Sequence, residues 1–221
     1  MKKLCIFDLD GTVLDTVGSI AHYGNLALQQ NGIAPIADEE YRFFAGDGAK
    51  MLVRRMLTYR SCYSDALHAK IFQEYNALYN ADVTCKTVIF DGLKEVLDQL
   101  KLRGYRFAIV SNKPDFAAKT VASALYGEGY FDCVVGQTEG SVLKPDPHEV
   151  LTVMKALDVS AQNCVYVGDT DTDMLTGKNA NLYTIGVLWG FRERAELARS
   201  GADAIAATPR ELYRIITQKL H

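Results

Sequence analysis

Short apolar runs recur along the chain, each followed by residues that repeat at helical spacing. Leu4-Cys5-Ile6-Phe7, Phe107-Ala108-Ile109-Val110, Cys133-Val134-Val135, Cys164-Val165-Tyr166-Val167 and Tyr183-Thr184-Ile185-Gly186-Val187 read as buried strands. The runs are continuous rather than alternating, which predicts a parallel sheet covered on both faces. Leu93, Val96, Leu97 and Leu100 follow i, i+3, i+4, i+7, and Gly104 closes that helix. Pro147 opens a helix with Val150, Leu151, Met154 and Leu157 on one face. Thr208 to Glu211 has the form of a capping box with Pro209 at the first helical position. Strand alternating with helix predicts a doubly wound α/β fold.

One stretch breaks the alternation. Between the first strand and Phe90 lie roughly eighty residues without a convincing strand, where a crossover needs only about a dozen. Ile20, Tyr23, Ala27 and Gln30 share one helical face, Met51, Leu52 and Met56 a second, and Leu67, Ile71, Tyr75, Leu78 and Tyr79 a third. The excess reads as an inserted helical cap over 15–83, with 1–14 and 84–221 forming the α/β core. A lid of that kind would close over the sheet edge and exclude water before chemistry.

Composition narrows the function. Of 221 residues, 48% are hydrophobic and 23% charged, and the formal net charge is −3. With no basic block, nucleic acid and anionic membrane are poor partners. The apolar run Leu4 to Phe7 is too short for a signal-peptide core, and the charge-free stretch Thr16 to Ala37 carries too many polar residues to span a bilayer. Five cysteines without a C-x-x-C pair read as reduced thiols of a cytoplasmic protein. His22, His68, His148 and His221 read as solvated surface histidines, and Trp189 as packing.

The candidate chemistry lies just after the strands, where parallel sheets bind ligands. Asp8-Leu9-Asp10-Gly11-Thr12 follows the first run. Alone, this pattern reads equally as an Asx turn or as a paired-carboxylate site. Gly168-Asp169-Thr170-Asp171-Thr172-Asp173 follows another. Acids that close repel one another unless a cation joins them, and oxygen-only ligands suit Mg²⁺. The rival reading is a solvated acidic loop at a helix N-terminus. Ser111-Asn112-Lys113-Pro114 offers phosphate donors, and Lys144-Pro145-Asp146-Pro147 a lysine on a stiff loop; singly, each reads first as a helix cap and a solvated lysine. Together, four strand ends on one sheet edge supply a carboxylate pair, a hydroxyl, a lysine and an acid cluster.

Those four segments, in that order, resemble the motifs of the haloacid dehalogenase superfamily of phosphatases, and the likeness runs over essentially the whole chain. The helical insert resembles the cap of that family's first subclass. Gly46-Asp47-Gly48-Ala49-Lys50, Tyr75-Asn76, Lys144 to Pro147 and Gly186 to Gly190 are similar to phosphoglycolate phosphatases. The resemblance implies a nucleophile at Asp8 and an acid–base at Asp10. It implies Mg²⁺ held by Asp8, the Asp10 carbonyl and Asp169, with Asp173 acting behind them. It implies phosphate binding by Thr12, Ser111, Asn112 and Lys144. The substrate would be a small phosphorylated metabolite, 2-phosphoglycolate first, with Gly46, Gly48, Lys50 or Arg55 as the cap residues that read it. Lys50, Arg54 and Arg55 lie at i, i+4 and i+5 and cannot all face one way.

Several alternatives remain open. A sugar-phosphate mutase or a pyrophosphatase shares the scaffold. Mutase relatives carry a cap histidine at the position of Ile20, whereas here the histidine is His22. A dehalogenase lacks the second motif aspartate. A phospho-accepting signalling protein would show stable phosphorylation without turnover, and a silent binding module would have lost motif acids.

Overall fold

A computed structural model describes residues 2–220. In chain order the elements are β1 (Lys3–Phe7), β2 (Leu14–Asp15), α1 (Val17–Gln30), a 3₁₀ turn (Asp38–Glu40), α2 (Tyr41–Phe44), α3 (Ala49–Tyr59), α4 (Asp65–Ala81) and β3 (Val88–Ile89). There follow α5 (Leu93–Leu102), β4 (Tyr105–Pro114), α6 (Asp115–Tyr126), β5 (Cys133–Gln137), α7 (His148–Leu157), β6 (Cys164–Gly168), α8 (Asp171–Asn179), β7 (Tyr183–Val187), α9 (Arg194–Arg199), β8 (Ala204–Ala206) and α10 (Pro209–Lys219), with a second 3₁₀ turn at Ala161–Asn163. The chain divides into two compact units, one running to Asp15 and resuming at Val88, the other Thr16–Thr87.

The first unit is a six-stranded sheet in the order β5-β4-β1-β6-β7-β8 with every pairing parallel. This is the doubly wound α/β architecture. β1 is central, and Leu4, Cys5, Ile6 and Phe7 have no exposed surface. Its run is unbroken by polar residues because both faces are covered. One face packs Leu4, Ile6, Ala108, Val110 and Tyr166 against Val150, Val153, Met154 and Leu157 of α7. Each such apolar side chain contributes about 1.5–3 kcal/mol by leaving water. Register fixes the working edge. Phe7 pairs with Ile109 of β4 and Val167 of β6, so β1 and β6 end at nearly one level while β4 runs on past them.

Several sequence expectations need correction. Cys133 to Val135 lies on an edge strand and is only half-buried. On α7 the inward residue is Val153, and Leu151 is exposed, because the helix begins at His148 and its buried face is set by the sheet. β8 was invisible, being three residues, two of them alanine, at the far edge. The supposedly strand-free stretch holds β2 and β3, a two-residue antiparallel pair too short to leave a periodic signal. At α10 the Thr208 hydroxyl accepts the Glu211 N–H at 3.2 Å, but the Glu211 carboxylate reaches back to the Ala207 N–H instead of closing the box.

The second unit is helical. Ile20, Tyr23, Ala27, Leu52, Met56, Ile71, Tyr75 and Tyr79 are buried in it, while Gln30 and Met51 are exposed. His68 departs from expectation. It is buried, its Nε2 lies 2.9 Å from the Lys50 carbonyl, and its ring stacks on Phe72. His22 is half-buried, His148 is exposed, and His221 lies outside the described residues. All five cysteines are free thiols. Burial pushes Cys164 up to about 12 and Cys5 up as well, so both stay protonated and inert. Among the described residues no helix is long and apolar enough to cross a membrane.

Candidate active site

β1 delivers Asp8 at its C-terminal end, still in the ladder through its N–H to the Val167 carbonyl at 2.9 Å. The chain then turns tightly. The Leu9 carbonyl accepts the N–H groups of Thr12, Val13 and Leu14. Gly11 takes φ +85, and a side chain there would overlap the Asp169 carboxylate. Only glycine combines that backbone with that approach. The pattern Asp8 to Thr12 is therefore a tight turn that carries two carboxylates.

β6 ends in Gly168, and Asp169 follows with no exposed surface. Thr170 caps α8 in a true capping box with Asp173. Asp173 Oδ2 accepts from the N–H groups of Asp169 (3.2 Å) and Thr170 (3.0 Å) and from the Thr170 hydroxyl (2.7 Å). Its Oδ1 accepts from Lys144 Nζ at 2.7 Å and the Tyr166 hydroxyl at 3.2 Å. Asp169 is clasped differently: Oδ1 accepts the Thr12 hydroxyl and Oδ2 the Phe191 N–H, both at 2.8 Å.

Lys144 is the cation that bridges this acid cluster. Its Nζ donates to Asp8 Oδ1 at 2.6 Å and to Asp173 Oδ1, with the side chain 5% exposed. Burial pulls its ammonium down, but the carboxylates of Asp173 and Asp8 outweigh that and hold it well above its ordinary value. Burial pushes Asp8 from an ordinary 3.8 to about 7; Lys144 pulls it back, and Asp173 and Asp10 add to the rise. Burial, then the charges of Asp173 and Asp8, raise Asp169 well above the carboxylate range. Three buried acids beside one lysine are short of positive charge.

β4 runs further than its apolar residues suggest. Ser111, Asn112 and Lys113 belong to the strand, within a register irregularity between Val110 and Pro114. The side chain of Asn112 grips the backbone of Lys144: its Oδ1 accepts the Lys144 N–H at 2.9 Å and its Nδ2 donates to the Lys144 carbonyl at 3.4 Å. Ser111 Oγ accepts the Lys113 N–H at 3.3 Å. Lys113, to which the sequence reading gave no role, donates to Asp10 Oδ1 at 2.7 Å from a side chain 4% exposed.

Asp8, Thr12, Asn112, Lys144, Asp169 and Asp173 thus form one hydrogen-bonded cluster, with Asp10 tied to the neighbouring Lys113. Tyr166, Trp189 and Phe191 were missed. Tyr166 looked like one more strand residue, and a backbone donor such as that of Phe191 leaves no mark in sequence. Trp189 does pack on Phe90, and its indole N–H also donates to the Thr12 carbonyl at 2.9 Å. The candidate cap residues lie in the other unit. Gly46 and Gly48 take φ +116 and +82, where glycine is favoured. Lys50 is exposed. The Arg55 guanidinium donates to the Phe44 carbonyl at 2.9 Å and to Asp47, so it braces the 44–48 turn.

Any resident cation must suit this donor set. Asp8, Asp169 and Asp173 each offer a carboxylate oxygen within 4.8 Å of the others, all buried and all hard oxygen donors. That set fits Mg²⁺. Asp173 accepts three hydrogen bonds at Oδ2 and two at Oδ1, against one at each oxygen of Asp169 and one from Lys144 at Asp8 Oδ1, which leaves Asp8 and Asp169 as the freer ligands.

Comparison with known proteins gives the same picture. The family model for haloacid dehalogenase-like hydrolases matches residues 5–187. A phosphoglycolate phosphatase of Vibrio parahaemolyticus is 31% identical over 221 residues, covering 97% of this chain and 96% of that protein. One from Colwellia psychrerythraea is 28% identical over 215 residues, covering 96% and 95%. A crystal structure from Lactobacillus delbrueckii subsp. bulgaricus, provisionally named a phosphoglycolate phosphatase, superposes with a TM-score of 0.92 at 30% identity, covering 98% of this chain and 99% of that one.

Proposed function

We propose, from the premise that this chain belongs to the haloacid dehalogenase-like hydrolase family and is a phosphatase, that it hydrolyses a small phosphomonoester through a phosphoryl group carried on Asp8. The observation that carries this reading is the buried cluster in which Lys144 bridges Asp8 and Asp173 beside Asp169.

In this reading Asp8, Asp169 and the Asp10 carbonyl hold Mg²⁺, with Asp173 orienting Lys144. The bound ion would shield the Asp8 carboxylate from the negative charge of the phosphate. Asp8 attacks phosphorus in line, and the bond to the leaving alkoxide breaks as the new one forms. Asp10 protonates that alkoxide, then takes a proton from the water that attacks phosphorus and frees Asp8. Lys144 and Ser111 neutralise the equatorial oxygens, where transition-state charge spreads. Thr12 and Asn112 fix Asp169 and Lys144 for those tasks.

The substrate we infer is 2-phosphoglycolate, a phosphomonoester that also carries a carboxylate, supported by the names of the relatives above. The unit Thr16–Thr87 would act as the lid that selects it. Against a mutase stands Ile20: the position where that reading needs an ionisable side chain is apolar and 6% exposed. The test is kcat/KM across a panel of metabolite phosphates with Mg²⁺, including pyrophosphate and sugar phosphates. Phosphoglycolate should rank first; a lower rank would refute the substrate and leave the chemistry standing.

A further inference from the structure

The loop after β7 touches the acid site in a way no motif announces. Trp189 Nε1–H donates to the Thr12 carbonyl at 2.9 Å. Two residues on, the Phe191 N–H donates to Asp169 Oδ2, while the Thr12 hydroxyl donates to Asp169 Oδ1, both at 2.8 Å. These bonds close a circuit. Thr12 and Phe191 each hold one oxygen of Asp169, and the indole ties the Phe191 segment back to Thr12. Gly190 lies inside the circuit, where any side chain would overlap Asp169 and the Gly11 carbonyl.

The circuit matters because of where its members come from. Thr12 follows β1 and Phe191 follows β7, and β6 lies between those strands in the sheet. Among the described residues no ladder joins β1 to β7, so the sheet alone does not fix one segment against the other. A carboxylate that ligates a cation must be held to within about 0.5 Å by its supports. Each oxygen of Asp169 accepts one of these bonds, which leaves a further lone pair on each for a ligand. The direction of those lone pairs depends on Thr12 and Phe191 staying in fixed relation. The indole bond supplies a side-chain tie between them.

We propose that Trp189 is a positioning residue for the cation site, fixing the direction of Asp169 through Thr12 and Phe191. This rests on the metal reading given above. It also makes the protein its own reporter. Trp189 is the single tryptophan of the chain, so an ion that pulls on Asp169 alters the environment of the only indole.

The test is calorimetric titration of the whole protein with Mg²⁺ alone, wild type against Trp189→Phe, beside a titration of wild-type tryptophan emission. Phenylalanine keeps a ring against Phe90 and deletes the donor. Mg²⁺ should bind the variant about tenfold more weakly, the lower end of what losing a ligand's outer partner costs. The thermal midpoint without Mg²⁺ should move little, and wild-type emission should change along the calorimetric curve. A packing role alone would leave Mg²⁺ affinity untouched. Equal affinities in the two proteins would overturn the proposal and leave the metal reading intact. Emission that stays flat through Mg²⁺ saturation would overturn it without recourse to any variant. A wild type that binds no Mg²⁺ would overturn both readings.

Discussion

Lys144 offers the sharpest perturbation, because its ammonium joins two carboxylates at 2.6 and 2.7 Å among side chains no more than 9% exposed. Lys144→Met removes the cation and keeps most of the side-chain volume. Breaking a buried pair by deleting one partner costs about 3–5 kcal/mol when the other partner stays charged. Whether it stays charged depends on pH. Asp8 titrates near 7 when folded against an ordinary 3.8. A carboxyl raised in this way adds stability that is fully present below the ordinary value and lost as pH rises through the folded one. Without Lys144, which holds Asp8 down, the folded value climbs further. At pH 5 Asp8 carries its proton with or without the lysine, so the variant should lose little through Asp8. At pH 8 the wild type ionises beside Lys144 and loses no more stability, whereas the variant must still take up a proton at Asp8 to fold, so it goes on losing stability as pH rises. For a chain of this size about 3–5 kcal/mol corresponds to roughly 10 °C in midpoint. Thermal melts in EDTA from pH 5 to 8 should show the gap between the two proteins widening with pH. A gap that is absent, or constant across that range, would refute the electrostatic account of the site. Turnover at pH 7 with Mg²⁺ should fall by at least about 100-fold, the scale of losing one charge-stabilising donor.

Lys113→Met frees Asp10 from the bond that orients it, and kcat should fall about 100-fold or more with KM little changed; an unchanged kcat would remove Asp10 or Lys113 from the chemistry. Gly11→Ala combines φ +85 with overlap onto Asp169, so Mg²⁺ should no longer raise the thermal midpoint, as scanning fluorimetry would show. Excess EDTA should abolish hydrolysis of a simple aryl phosphate and added Mg²⁺ restore it; equal rates in EDTA would end the metal reading.

The parts of the molecule legible in the sequence are those with a local cause. Leu4 to Phe7 and Cys164 to Val167 announce central strands because both their faces must be apolar. Asp8, Asp10, Asp169 and Asp173 stand out in the sequence because they follow such strands and, taken with the lysine and hydroxyl of two other strand ends, form a set that a lone turn or acidic loop would not. What stayed hidden depends on tertiary contact. That the Asn112 amide grips the Lys144 backbone depends on a residue 32 positions away. Lys113 gains its meaning only from Asp10, one hundred and three positions away. Tyr166 and Trp189 carry polar ends on apolar bodies, and sequence records the body. His68 reads as a surface residue because the Lys50 carbonyl that satisfies it belongs to another helix.

The central claim is that the phosphoryl group passes through Asp8. Acid quenching during turnover, reduction of any acyl phosphate with borohydride and peptide mass spectrometry test it directly. The account predicts reductive labelling at Asp8 alone, absent in Asp8→Asn and absent without substrate. Labelling at any other residue, or full turnover by Asp8→Asn, would contradict it.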